Sequence, residues 1–136
     1  MATKTKKDYI YALGRRRESS ARVRLFKGDG QTLVNDQPIG QYFPGVIARA
    51  RWAKPFELTE TSGKYFATIK VIGGGKQGQL GAVVLGLARA IQKINLEKYR
   101  PNLKKAGLLT RDDRIRERRK VGTGGKARRQ KQSPKR

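Results

Sequence analysis

The closing stretch of the chain, Arg111 to Arg136, carries twelve lysines or arginines against three acidic residues, with Ile115 and Val121 as its large apolar side chains. Such a segment cannot bury enough surface to offset the entropy of ordering it, and its like charges repel. It is expected to stay extended until a polyanion neutralises it. Any hydrophobic core must therefore come from the residues that precede it.

The excess of charge runs through the whole chain: 33 basic and 10 acidic residues leave +23 on 136 residues. Nucleic acid is the natural partner of such a chain. A membrane surface is also anionic, but holding one needs an amphipathic basic helix with a bulky apolar face, or a lipid anchor. The tail offers Gly122, Gly124 and Gly125 instead. There is no apolar run of the roughly 18 residues a spanning helix requires. Residues Met1 to Lys7 lack the apolar stretch of a signal peptide, so a soluble, unexported protein is expected. No cysteine is present, which removes disulfides and thiol chemistry and fits a reducing compartment.

The expected organisation is a flexible N-terminus over 1–7, one globular domain over 8–109 and a basic extended tail over 110–136. About 100 residues suffice for one modest core, and no repeat of solenoid period is apparent. Tyr9 to Leu13 is a short apolar-aromatic segment, followed after Gly14 by Arg15, Arg16 and Arg17. From Ser20 to Phe26 the chain alternates: Ala21, Val23 and Leu25 on one side, Arg22 and Arg24 on the other, as in a half-buried strand with a basic outer face. Gly28-Asp29-Gly30 predicts a turn, and Thr32 to Val34 a third strand that completes a meander and stops at Asn35 to Pro38.

Val46, Ile47, Ala50 and Ala53 suit a short helix between Pro44 and Lys54, started near Pro44 and ended by Pro55. Tyr65 to Ile72 is β-branched and aromatic on both faces, predicting a central strand covered on each side. Leu80, Val83, Val84, Leu87, Ala88, Ile91 and Ile94 fall on one helical face. Gly81 and Gly86 weaken that helix, which predicts close approach of another backbone. Pro101 and Gly107 leave room for one more short helix between Leu96 and Leu109. The fold class is α+β, a mixed sheet packed with helices.

Gly73-Gly74-Gly75-Lys76-Gln77-Gly78 satisfies G-x-G-x-x-G between a strand and a helix. A dinucleotide site needs a further parallel strand after the helix, and the stretch from Asn95 to Lys105 is too polar for one. A phosphate-binding P-loop needs Ser or Thr after the lysine, and Gln77 stands there. Glycine backbone at a helix N-terminus beside Lys76 still makes a phosphate site. Polynucleotide phosphate leads, ahead of a purely structural turn and of a free nucleotide.

Catalysis has little to stand on, since there is neither His nor Cys. Asp112-Asp113 is flanked by Arg111 and Arg114, which favours a salt-bridged turn over a metal site. No metal, cofactor or enzymatic activity is expected. Aromatic residues such as Tyr11, Tyr42 and Trp52 could stack on bases, but most of the aromatics are more economically core or sheet-edge residues. For Arg15, Arg16, Arg17, Arg49 and Arg51 an ordinary solvated face is the default, but so uniform an excess of one sign favours phosphate. A free nucleic-acid-binding protein or RNA chaperone also fits the composition taken alone.

Several longer matches sharpen this. Tyr11 to Arg17, Ala21-Arg22-Val23, Val34-Asn35, Tyr42-Phe43, Val71 to Gly75, Gly78-Gln79, Gly81-Ala82 and Gly86 to Ala90 are joined by Leu109 to Asp112, Glu117 to Lys120, Ala127-Arg128 and Lys135-Arg136. Together they resemble the small-subunit ribosomal protein nine family, bacterial type, over nearly the whole chain. The resemblance implies a fold like the second domain of ribosomal protein five, with a left-handed crossover. It also implies a structural place in the small-subunit head, on ribosomal RNA and among neighbouring head proteins, in a cytoplasmic or an organellar ribosome. Neither a membrane partner nor a homo-oligomer is expected. The tail tip would reach the anticodon stem-loop of P-site tRNA through Ser133, Lys135 and Arg136. Here Pro134 is inserted, and the aromatic residue that usually precedes the tip is missing. Candidate ribosomal RNA contacts are Arg15, Arg16, Arg17, Gly73, Gly74, Gly75 and Lys76 in the body. In the tail they are Arg111, Arg114, Arg116, Arg118, Arg119, Lys120, Lys126, Arg128 and Arg129.

Overall fold

A computed structural model describes residues 9–121. Residues 1–7 and the tail positions Lys126, Arg128, Arg129, Ser133, Lys135 and Arg136 lie outside the described residues, as do the three tail glycines.

Strand β1 (Tyr9–Arg16) turns through Arg17 and Glu18 into β2 (Ser19–Lys27), and the two pair antiparallel from Tyr9↔Phe26 to Arg16↔Ser19. The first strand is longer than its apolar segment, because pairing with β2 carries it through Gly14 to Arg16. Arg17 takes the left-handed conformation that closes the turn, with φ 53°.

The third strand does not continue a meander. Strand β3 (Leu33–Val34) forms a hairpin with β4 (Gln37–Pro38), with Asn35 and Asp36 at its tip. Both tip residues have positive φ, 49° and 67°, the backbone that matches the natural twist of a two-residue hairpin. What the turn residues end is the strand, not the sheet. Strand β5 (Tyr65–Ile72) lies between β2, antiparallel, and β3, parallel, giving the order β1-β2-β5-β3-β4. Asn35 fixes that join: its amide donates to the Val71 carbonyl at 3.1 Å and accepts from the Val71 N–H at 2.9 Å.

The parallel pair is connected through α1 (Ile39–Tyr42) and α2 (Val46–Leu58). Helix α2 runs past Pro55, which therefore does not end it. The proline removes one N–H but is itself buried next to Phe56, and this packing against the core outweighs one lost backbone bond. The buried side of α2 is Ala48, Trp52 and Phe56, at spacings of four. Val46 and Ile47, expected inside, are 86% and 81% exposed.

Helix α3 (Lys76–Gln92) lies across β1 and β2, with α2 and α4 (Leu96–Lys105) packed on it. This explains why nearly every residue from Leu80 to Ile91 is buried: a helix enclosed by a sheet and two helices needs apolar groups all round. The Asn95 side chain caps α4 by accepting from the Lys98 N–H at 3.3 Å. Gly107, at φ 75°, ends it in a left-handed cap, with Gly107 N–H bonded to Lys104 O and Leu108 N–H to Leu103 O.

Among the described residues the helices lie on one face of the sheet. Along β5, Ala67, Ile69 and Val71 are buried while Lys70 and Ile72 are exposed, so this strand is central but not covered on both sides. Edge strand β1 is protected at its free carbonyls: Arg89 donates to Leu13 O at 2.7 Å and Lys93 to Tyr11 O at 2.6 Å.

Candidate nucleic-acid interface

Strand alternation divides the arginine run. Arg16 shares the inner face of β1 with Ala12 and Gly14, whereas Arg15 points to the opposite, open face. Gly81 makes room for Arg16, whose side chain lies where a Cβ on that glycine would stand. The expected close approach of another backbone occurs at Gly86, which faces Gly14, and not at Gly81.

Beyond Thr110 the chain has neither helix nor strand as far as Lys120, and it passes beside Arg16. Asp112 holds it there. The carboxylate receives a two-point grip from the Arg114 guanidinium, at 2.9 and 2.7 Å, and accepts the Arg114 backbone N–H at 3.1 Å. Arg16 approaches the same carboxylate at 3.4 Å. The Arg114 hydrogen bonds hold the Asp112 carboxyl well below the usual carboxylate range and push the Arg114 guanidinium up. The salt bridge expected at Asp112 forms, with Arg114 and with Arg16. Among the described residues no group of His, Cys, Asp and Glu could hold a metal. Arg51, on α2, is lowered by burial and then by the nearby charge of Arg16.

The glycine loop closes the other side. Gly73 and Gly74 have φ of 78° and 61°, so both need glycine for conformation alone. They pack on the β1–β2 turn, where the Ser19 hydroxyl donates to Gly73 O at 3.0 Å. Gly75 differs: its φ of −101° suits any residue, and a Cβ there would meet open space. As the N-cap of α3 it offers no side-chain cap, leaving the first helical N–H groups turned to the cleft. The Lys76 ammonium is engaged by Tyr42, 3.3 Å from its carbonyl oxygen and 3.3 Å from the centroid of its ring. With α4 following α3 and, among the described residues, no further strand after it, the dinucleotide reading loses its required second β-strand.

These parts enclose an open cleft of about 1100 Å³ that brings together Arg16, Arg17, Gly74, Gly75, Lys76, Arg111, Arg114 and Arg116. Arg15 and Gly73 are not among its lining residues, and neither are Arg118, Arg119 and Lys120, farther along the tail. Glu18, Ser19 and Gln77 also line it and were not singled out from sequence. The folding of Ser19 back onto the glycine loop leaves no mark in composition or periodicity.

A mixed sheet backed by helices, with cations converging on a cleft from a turn, a helix start and an extended strap, defines a basic structural protein suited to a polyanion. Residues 14–136 match the ribosomal protein S9/S16 family, and the chain belongs to that family. It is 45% identical over 111 residues to the small ribosomal subunit protein uS9 of Leifsonia xyli subsp. xyli (strain CTCB07). That alignment takes in 82% of this chain and 66% of the relative. The family is one of ribosomal proteins, and the chain spans just under two thirds of the length of the relative it matches. Among the described residues no helix is long and apolar enough to cross a membrane.

Proposed function

We propose that the chain is a structural constituent of the small ribosomal subunit head, held there by ribosomal RNA in its basic cleft. The observation that carries this reading is the convergence of Arg16, Arg17, Arg111, Arg114 and Arg116 on the uncapped start of α3. Fixed cations beside free N–H groups suit a phosphate backbone, and displacement of condensed counterions supplies the affinity. Because Asp112 binds two arginines at once, the strap is held in register before RNA arrives, which lowers the entropic cost of ordering it.

Family membership and the name of the relative support the small-subunit assignment. By the same reading the tail leaves the body at Arg111 and carries its charge inward, so that Ser133, Lys135 and Arg136 reach P-site tRNA. Sedimentation of a high-salt-washed host lysate tests the assignment. Retention with the small subunit at about one copy per particle is the expected result; a protein that stays at the top of the gradient, or follows bulk DNA, would refute it. Deleting Ser133 to Arg136 should leave assembly intact and speed dissociation of P-site tRNA, and an unchanged off-rate would remove the tRNA role.

A further inference from the structure

The cleft leaves half of the sheet unused. We infer that the open face of the sheet is a second ribosomal RNA surface that takes an unpaired segment, with Arg22 and Lys70 on phosphates and Tyr11 stacked on a base. The inference rests on the ribosomal reading above.

Three features of the face carry it. The first is the register, which places Leu13, Arg22 and Lys70 in one row across β1, β2 and β5, and Tyr11, Arg24 and Thr68 in the next. Arg22 and Lys70 are thus directly opposed cations, an arrangement that destabilises an antiparallel pair. No acidic residue occurs in these three strands to relieve it. A polyanion laid over the row converts that repulsion into binding energy.

The second is the way the aromatic residues divide. Tyr9, Phe26 and Phe66 fill a third row and satisfy one another, with ring centroids 5.6 and 5.3 Å apart. The Arg24 guanidinium covers the Tyr9 ring at 5.2 Å. Tyr11, by contrast, is 43% exposed beside this cationic row. A ring on a flat cationic sheet is a stacking platform for an unpaired base, whereas duplex RNA keeps its base faces closed.

The third is location. Arg15 and Arg16 are consecutive, yet one faces this surface and the other the cleft. The β1–β2 turn therefore forms a ridge between two basic surfaces, and RNA on both sides would grip the sheet.

Ultraviolet crosslinking of isolated small subunits, read as peptide–nucleotide adducts, tests this with the full chain in place. Adducts on the Tyr11 segment, distinct from those around Gly74 and Arg116, are expected. In rebinding to subunits depleted of the protein, Tyr11→Ala should weaken affinity about fivefold or more. Arg22→Gln with Lys70→Gln should make the slope of log affinity on log salt shallower by about 1.4, for two phosphates. All three side chains are exposed, so the unfolding midpoint should stay put for Tyr11→Ala and hold or rise slightly for the double variant, which relieves the opposed charges. Adducts confined to the cleft, with sheet variants that rebind like the parent, would overturn the inference and leave the ribosomal assignment standing. Crosslinks from this face to another protein would overturn it equally. Failure to sediment with the small subunit would remove both.

Discussion

Gly14 of β1 and Gly86 of α3 meet backbone to backbone: a Cβ on Gly14 would stand 2.5 Å from the Gly86 nitrogen, and one on Gly86 would stand 2.6 Å from Val23 Cγ2. This contact lets α3 lie directly on β1 and β2, and thereby sets where the helix start faces the turn. Gly14→Ala pushes against backbone, which cannot swing aside, so a loss of about 3 kcal/mol is expected, at the upper end of overpacking costs. At Gly86→Ala the obstacle is a side-chain methyl and the helix gains about 1 kcal/mol of propensity, so the net loss should be nearer 1–2 kcal/mol. Chemical denaturation of the two variants reads the order. Equal stabilities would show that the helix can lift off the strand at little cost.

Gly81 gives the opposite sign. A Cβ there displaces Arg16 around Cδ, part of a flexible side chain, while the helix gains about 1 kcal/mol of propensity. Gly81→Ala should leave the unfolding midpoint nearly unchanged or raise it slightly. Rebinding to depleted small subunits should weaken, because Arg16 leaves both the cleft and Asp112. Unaltered binding would show that the position of Arg16 does not matter to RNA.

The helix and strand pattern is legible wherever burial is one-sided or complete, as in β2, β5 and α3, since periodicity records it directly. Strand β3 is different. Two residues carry no period, and whether they join β2 or β5 is decided by Asn35 reaching Val71, a contact 36 residues away in sequence. Pro55 misleads for a related reason: local rules end the helix there, but the burial of Pro55 and Phe56 overrides them. At the cleft the cations are visible as composition. The separation of Arg15 from Arg16 becomes visible only once β1 is extended through Gly14, because alternation then sends neighbouring side chains to opposite faces.

The strap at Asp112 has a definite pH dependence. The Arg114 side-chain and backbone hydrogen bonds lower the folded carboxyl well below its ordinary value of about 3.9. A depressed carboxyl contributes stability that is present above the unfolded value and lost as pH falls through the folded one. The grip should therefore persist at neutral and mildly acidic pH and open only well below about 4. A carboxyl NMR titration should place the Asp112 midpoint far under that of a free aspartate. Asp112→Asn should raise amide exchange at Arg114 with little change in global unfolding, since the pair is exposed. A midpoint near the ordinary value would show that the strap is not held.

The glycine loop separates structural need from RNA contact residue by residue. Gly74→Val puts a β-branched side chain at φ 61° against the Ser19 hydroxyl, so the fold itself should lose about 3 kcal/mol, through backbone strain and overpacking together. Incorporation into the subunit would fall as well, but that result alone could not distinguish lost RNA contact from lost fold. Gly75→Ala can. Its backbone is acceptable to alanine and its Cβ meets open space, so the stability cost should stay within about 1 kcal/mol, that of a poorer N-cap. The added methyl stands beside the free N–H groups that open α3, where a phosphate oxygen would sit. Rebinding to depleted subunits should weaken roughly tenfold, the equivalent of about 1.4 kcal/mol. Parental affinity in Gly75→Ala would mean that RNA is gripped by the arginine side chains alone and that the helix start does not touch it.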